Sequence, residues 1–278
     1  MIRLRKNRLL RIAMYILIVI IVAIWLLPVT FIVLTALKDN MDFIMNPPFS
    51  LPEKIEWGNF SAAFFDSKLS AYMGNSLKIC LVEVPLQILI SSLTAFGLTS
   101  LNIRHSKKIF IFILIGMMVP ANATLIPVCM GVGKLGLTNS LIPLIFIYLG
   151  GGFSFGVLVM RGFMRSIPKE IHEQARIDGC NNFRIYWQIV MPLARPAVAS
   201  LLILNFLYAW NEFMFASVLI SSQSKMTIAP GISIFNGEAL TQYTKLCAGV
   251  LLVVVPVLVI FIFFQKYFVE GMSGAVKG

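Results

Sequence analysis

The chain has 278 residues, of which 58% are hydrophobic and only 13% charged, and its mean hydropathy is +0.87. A water-soluble domain carries about a quarter of its residues charged, so this composition excludes a soluble globule and predicts a membrane protein. The net charge of +11 raises nucleic acid as a partner, and the placement of the charges along the chain makes that reading unnecessary.

Arg3, Arg5, Lys6, Arg8 and Arg11 lead into a first apolar span predicted at Ile12–Leu37. It is too long for a signal-peptide core and lacks a small-x-small cleavage site, so it reads as a membrane helix. The next stretch, Lys38–Asn75, carries PPFSLP and several acidic residues and predicts a partly ordered loop. Five more spans are predicted at Ser76–Leu101, Ile109–Met130, Leu141–Arg161, Ala197–Ile220 and Leu246–Phe268. Each is near the ~20 residues that cross a bilayer as a helix, the form in which a segment satisfies its own backbone. In the third, Pro120 and Pro127 bracket ANATLI, so that span is expected to kink or break, either to line a path or as a tolerated bend. The fold class is therefore an all-α membrane protein of six transmembrane helices, read as one transmembrane domain over residues 1–278, with no internal repeat.

With the N-terminus placed inside, 16 of the 23 lysines and arginines fall on the cytoplasmic side and six outside, with Lys78 near a boundary. The bias satisfies the positive-inside rule, puts both termini in the cytoplasm and accounts for the basic excess by topology.

Between the fourth and fifth spans the oily chain is interrupted by RSIPKEIHEQARIDGCNNFRIYWQIVMPLARP, residues 165–196. Ser166 can cap a helix, and Pro168 suits its first turn. Glu170 and Glu173 put negative charge near the positive end of the helix dipole. Ile171, Gln174, Ala175 and Asp178 recur at helical spacing and make one narrow face. Gly179 is placed to end that helix in the left-handed region. Asn181 or Asn182 can cap a second short helix, with Ile185, Trp187, Ile189 and Val190 as its apolar bulk and Pro192 as its stop. On the residues alone, this stiff elbow is either a fitting for another protein or an amphipathic loop lying on lipid.

Two carboxylates fall within spans, Glu83 in LKICLVEVPL and Glu212 in NFLYAWNEF, and intramembrane charge is a functional hypothesis by default. Trp210, Asn211 and Glu212 could stack on and hydrogen-bond a sugar, or could simply bond a neighbouring helix. Lys78 lies near enough along the helix to pair with Glu83 from its outer end, about one turn plus a residue away. Other motifs fail. GFSFG at Gly152–Gly156 matches G-x-S-x-G without the strand-turn-helix setting that Ser154 would need as a nucleophile. GVGKLG at Gly131–Gly136 has no βαβ context, HEQAR is not H-E-x-x-H, and no Walker A sequence exists. Cys80, Cys129, Cys180 and Cys247 are scattered and read as reduced and structural. With only His105 and His172 besides, no metal site is expected.

E-Q-A-R-I-D-G at Glu173–Gly179, followed by I-V-M-P at Ile189–Pro192, resembles the EAA loop of permease subunits in ATP-driven importers, with Gln174 in place of the middle alanine and Met191 in place of leucine. NPPFSLP, GNFSAAF, NSL, VPANATLIP, KLGLTNS, WNEF and the final GAVKG resemble the carbohydrate branch of that family, the maltose-transporter type. The resemblance implies that the elbow is a coupling helix docking in a cleft of the ATPase subunit. Glu173 would pair with an ATPase arginine, Ala175 and Gly179 would pack closely, and Asp178 would help hold the elbow, with Gln174, Ile189 and Pro192 completing the fitting. The tail Gly274, Ala275, Val276, Lys277 and Gly278 would make a second ATPase contact. The partners implied are a second permease in a heterodimer, two ATP-binding subunits, an extracytoplasmic solute-binding protein and the lipid bilayer. The chain would be no enzyme and would carry no cofactor of its own, ATP and magnesium belonging to the partner subunits. The location implied is the bacterial cytoplasmic membrane, crossed several times. The different-class alternative is an ion-coupled secondary transporter that uses Glu83 and Glu212 as relays.

Overall fold

A computed structural model describes residues 8–238 and 242–275, and among them every regular element is a helix. Five helices are long and apolar enough to cross a membrane, Arg11–Ala36, Leu69–Ser100, Ile142–Met164, Arg195–Leu219 and Tyr243–Tyr267. A bent pair, Ser106–Met118 and Ala121–Lys134, supplies the sixth crossing if its halves make one span. Five of the six predicted spans have a counterpart among these helices, with ends that move by a few residues, and the predicted third span falls on the bent pair. The largest shift is in the second, which starts at Leu69, seven residues before the predicted Ser76.

The third span is broken, as its prolines lead one to expect, but only one proline breaks it. The halves meet at 90°. Pro120, at φ −68° and ψ 130°, takes the N-cap position of the second half, where its missing N–H is not needed. Pro127 lies within the Ala121–Lys134 helix, which continues past it.

The chain divides into two compact units, Met1–Leu69 with Ile234–Val254 and Ser70–Ser233 with Val255–Gly278. In the first, the long initial helix is exposed from Arg11 to Thr30 and becomes buried only near its end, at Thr35 and Ala36. There Ala36, Ala63 and Ala248 form a small-residue core ringed by Phe60, Cys247, Leu251 and Leu252. Alanines let three backbones approach closely, which is how helices gain packing energy where lipid offers no hydrophobic drive. The last carbonyls of the first span need partners, and Asn59 provides them. Its Nδ2 donates to the Ala36 carbonyl at 2.9 Å and to the Lys38 carbonyl at 2.7 Å, with Asn59 itself only 5% exposed. Lys38 is fully buried and directs its ammonium to Ser50 Oγ (2.6 Å) and the Pro47 carbonyl (3.2 Å), so PPFSLP is folded back against the end of the helix.

In the second unit, the buried face of the second span is written as pairs four residues apart. They are Ile79/Cys80, Glu83/Val84, Gln87/Ile88, Ser91/Ser92 and Ala95/Phe96. The loops beyond its outer end are stapled by side chain to backbone. Asn75 Nδ2 donates to the Ser224 and Met226 carbonyls (2.9 and 3.0 Å), and Ser76 Oγ accepts the Ile228 amide (3.0 Å). Asn139, in the left-handed region at φ +56°, accepts from the Ser222 amide and hydroxyl, and its carbonyl accepts from Lys225 Nζ at 2.9 Å. The four cysteines are free.

Replacing Asn59 with leucine leaves two helix-end carbonyls without donors. It should destabilise the first unit by about 2 kcal/mol, measured as a lower midpoint of thermal unfolding in mild detergent.

Candidate functional site

The elbow follows directly from the fourth span. Ser166 Oγ donates to the Phe163 carbonyl at 2.7 Å, within its own turn, so it does not cap the next helix as the sequence suggests. Pro168 stands at the N-cap position instead, one residue ahead of the expected first turn, and Lys169–Ile177 forms the helix. Glu170 lies in its first turn and Arg176 in its last, each complementing the helix dipole.

The helix ends in a Schellman motif. The Gly179 amide donates to the Arg176 carbonyl (3.1 Å) and the Cys180 amide to the Ala175 carbonyl (2.9 Å), with Gly179 at φ +78° as the sequence predicts. Nothing lies within 4 Å of a Cβ built on Gly179, so the backbone angle alone requires glycine there. Asn181 then caps the second half, accepting the Arg184 amide at 2.8 Å. That half is not a plain α-helix. Tyr186–Val190 is a π turn, and the Met191 amide reaches the Tyr186 carbonyl five residues back. The widened turn falls just ahead of Pro192, which therefore sits within the closing turn Met191–Leu193 and does not stop the helix as predicted.

The predicted narrow face is real. Ile171, Gln174, Ala175 and Asp178, with Cys180 and Ile189 from the second half, line a shallow groove of about 470 Å³. Ala175 is buried, whereas Glu173, Gln174 and Asp178 are exposed. Glu173 lies off the groove and forms no hydrogen bond or ion pair among the described residues. The Asp178 carboxylate likewise makes no hydrogen bond there, so the task of holding the elbow falls elsewhere. Two apolar residues flank the glycine turn, Ile177 at 78% exposure and Phe183 at 70%. The sequence reading missed them, although bare apolar side chains on a charged interruption are a recognisable sign of a partner surface. Burial first, and then the neighbouring Arg176, hold the His172 imidazole below its ordinary pKa. Whatever neutral His172 contributes is therefore lost as pH falls through the acidic side of the histidine range.

What holds the elbow is the second span. Arg176 donates to the Ser100 carbonyl at 3.1 Å. Tyr186, 1% exposed, bonds its hydroxyl to Ser92 Oγ at 2.7 Å and sets its ring edgewise on Phe96, centroids 5.4 Å apart. Burial raises the Tyr186 pKa, which keeps the phenol protonated. The elbow is thus joined covalently to the fourth and fifth spans and by hydrogen bonds to the second.

The intramembrane candidates separate. Glu212 sits at a break in the fifth span, between Arg195–Asn211 and Met214–Leu219. Its carboxylate accepts the Phe215 amide (2.8 Å), the Ala216 amide (3.1 Å) and the Tyr148 hydroxyl (2.6 Å). It caps the outer helical segment and ties it to the fourth span. Trp210 is 2% exposed and stacked on Phe206, so in this state its face is not open to a sugar. Asn211 is exposed, and its Nδ2 turns back to the Leu207 carbonyl at 2.8 Å. Glu83 is 1% exposed, and its Oε2 has no hydrogen-bond partner. Lys78 is exposed to the surroundings of the helix, and no Lys78–Glu83 ion pair forms. The two residues are five apart, and that step turns their side chains away from each other. Ser154, buried, donates to the Ile113 carbonyl at 2.7 Å and staples the fourth span to the third. In the tail, Gly274 and Ala275 close the last helix, and Val276, Lys277 and Gly278 lie outside the described residues.

A model of the family described as binding-protein-dependent transport system inner membrane component matches residues 87–274. The melibiose/raffinose/stachyose import permease protein of Bacillus subtilis is 31% identical, over 91% of this chain and 91% of its own. The maltodextrin transport system permease protein of Streptococcus pneumoniae is 31% identical, over 81% of each chain. Among solved structures, a chain of a bacterial ABC transporter involved in import of the acidic polysaccharide alginate superposes with a TM-score of 0.83 at 24% identity, covering 95% of this chain and 98% of that one. This last likeness is one of fold.

Gly179→Ala forces an L side chain into the left-handed region at a cost of about 1–2 kcal/mol. Hydrogen–deuterium exchange across Arg176–Cys180 should accelerate about tenfold, and less in Gly179→Asn, because asparagine tolerates that region better. Tyr186→Phe removes one buried hydrogen bond and should weaken the elbow's hold on the second span by about 1 kcal/mol, read as faster exchange over Tyr186–Val190 with the Gly179 turn unchanged.

Proposed function

The chain belongs to the binding-protein-dependent transport system inner membrane component family, and from that membership we propose that it is the permease subunit of an ATP-binding-cassette importer for a saccharide. The substrate class rests on the named sugars of the relatives above. The chain is a multi-pass membrane protein, and the reading places it in the cytoplasmic membrane of a bacterium. Its partners are a second permease, two ATP-binding subunits and an extracytoplasmic solute-binding protein. ATP and its magnesium belong to the ATP-binding subunits.

The observation that carries the mechanism is the elbow's construction. A docking element must move as one body if it is to convert motion of a partner into motion of helices. Here the Schellman turn, the Asn181 cap and the continuous run from Tyr186 to Leu193 remove the soft points between its two halves. Exposed Glu173 offers a carboxylate for a partner arginine, and the geometry of such a pair is planar and bidentate. Ile177 and Phe183 add apolar contact on either side of the turn. When the ATP-binding subunits close on nucleotide, the elbow moves with their clefts and carries the fourth and fifth spans by covalent connection. The second span follows through Arg176–Ser100 and Tyr186–Ser92. The three spans then reorganise from facing inward to facing outward, where the binding protein delivers its sugar. Only contacts that differ in energy between the two states can drive this shift, and those at the elbow depend on nucleotide through the partner.

Uptake should follow ATP and survive a protonophore that collapses the proton gradient. In Glu173→Ala, membrane insertion should be normal while the ATP-binding subunits co-purify at least tenfold less. Wild-type co-purification together with wild-type uptake would remove Glu173 from the interface. Uptake that stops with the proton gradient and ignores ATP depletion would remove the importer reading altogether.

A further inference from the structure

Between the second, fourth and fifth spans lies a seam of polar side chains that the elbow mechanism does not use. Glu83, Gln87 and Ser91 recur every four residues along the second span and are at most 1% exposed. Gln87 and Ser91 face the fourth span at two glycines also four apart. Gln87 Nε2 lies 3.0 Å from the position of a Cβ built on Gly152 and 3.1 Å from one built on Gly156. Ser91 Oγ presses on the same Gly156 position, and Asn205 Oδ1, from the fifth span, comes within 3.3 Å of the one on Gly152. Asn205 is 6% exposed. Three helices therefore bring two primary amides and a hydroxyl to one place, with the Glu83 carboxyl one turn further along the second span, and the two glycines leave the room the amides and hydroxyl occupy.

These groups do not satisfy one another. Glu83 Oε2, both Gln87 polar atoms, Ser91 Oγ and Asn205 Nδ2 are buried without a hydrogen-bond partner. Unpartnered polar atoms are rare in native interiors and require a reason. Hydrocarbon on the outer side of these helices supplies none. The chemistry of the set narrows what could. A cation would be held by oxygens alone, and amide N–H groups aimed into the same space disfavour it. An anion would find no cationic side chain among these residues to balance it. A ligand that both donates and accepts matches carboxyl, amide and hydroxyl together, and hydroxyl groups do so.

We infer that the seam formed by Gln87, Ser91 and Asn205 against Gly152 and Gly156, with Glu83 one turn further along the second span, is an internal site for hydroxyl groups, those of water or of a transported saccharide, enclosed within the helices of this one subunit. The saccharide source rests on the importer reading, and the water source does not.

The site can be read by cysteine chemistry, because a methanethiosulfonate reagent needs a thiolate, which forms where water reaches and not in lipid. Ser91→Cys and Leu93→Cys would be compared in the full transport complex in membranes. The two positions are two residues apart on one helix, and Leu93 is an exposed apolar residue, 46% exposed. Modification by the ethylammonium reagent would be followed at each residue by peptide mass spectrometry, with and without ATP and vanadate. Position 91 should react about tenfold faster than position 93 in at least one nucleotide state. Slowing at 91 by raffinose or maltotriose assigns the site to saccharide hydroxyls. Reaction that neither sugar slows assigns it to water. Equal, slow reaction at 91 and 93 in every state describes a dry seam and overturns the inference. If Ser91→Cys fails to assemble, Asn205→Cys reads the same space from the fifth span, with the same outcomes.

Discussion

Hydrocarbon offers no hydrogen-bond partner, and the architecture of this chain follows from that one constraint. Each helix satisfies its interior backbone. Ends, breaks and turns must find partners elsewhere in the protein. Asn59 closes the last carbonyls of the first span. Glu212 receives the amides exposed where the fifth span fractures, and takes the Tyr148 hydroxyl as well. Ser154 meets the Ile113 carbonyl just before the third span turns through a right angle. Of the readings the sequence leaves open for this carboxylate, the geometry matches the bond to a neighbouring helix, together with a helix cap.

The elbow lies in water, where that constraint is absent, and its stiffness comes from pairing within itself. An interruption of about 30 residues between two spans could have been a slack loop. Instead its amides and carbonyls are paired through the glycine turn, the asparagine cap and the π segment, and its one buried tyrosine is bonded to the second span. Coupling between a partner and the membrane then needs no special pathway. It needs a body that does not bend and attachments on more than one side of it.

Much of this is legible in the sequence because it is local. Apolar run length marks the spans, Gly179 marks a left-handed stop, and Asn181 marks a cap. The quoted motifs are legible as a family signature but not as structure. The asparagines of GNFSAAF, NSL and KLGLTNS turn out to staple backbone groups 20 to 150 residues away in sequence, and no local pattern reveals such a partner. The buried face of the second span is likewise not announced by polarity, because it mixes Ile79, Val84, Ile88 and Phe96 with Glu83, Gln87, Ser91 and Ser92, while lipid accepts the apolar remainder. Pro192 is misread for a related reason, since a π turn is a hydrogen-bond pattern and residue types alone do not announce it.

The first span has a separate consequence. From Ile12 to Thr30 every residue of it is exposed in this chain. Its seat in the bilayer therefore rests on the transfer of apolar side chains out of water more than on packing within this chain. Its close packing within the chain gathers at the far tip, where Ala36 closes on Ala63 and Ala248.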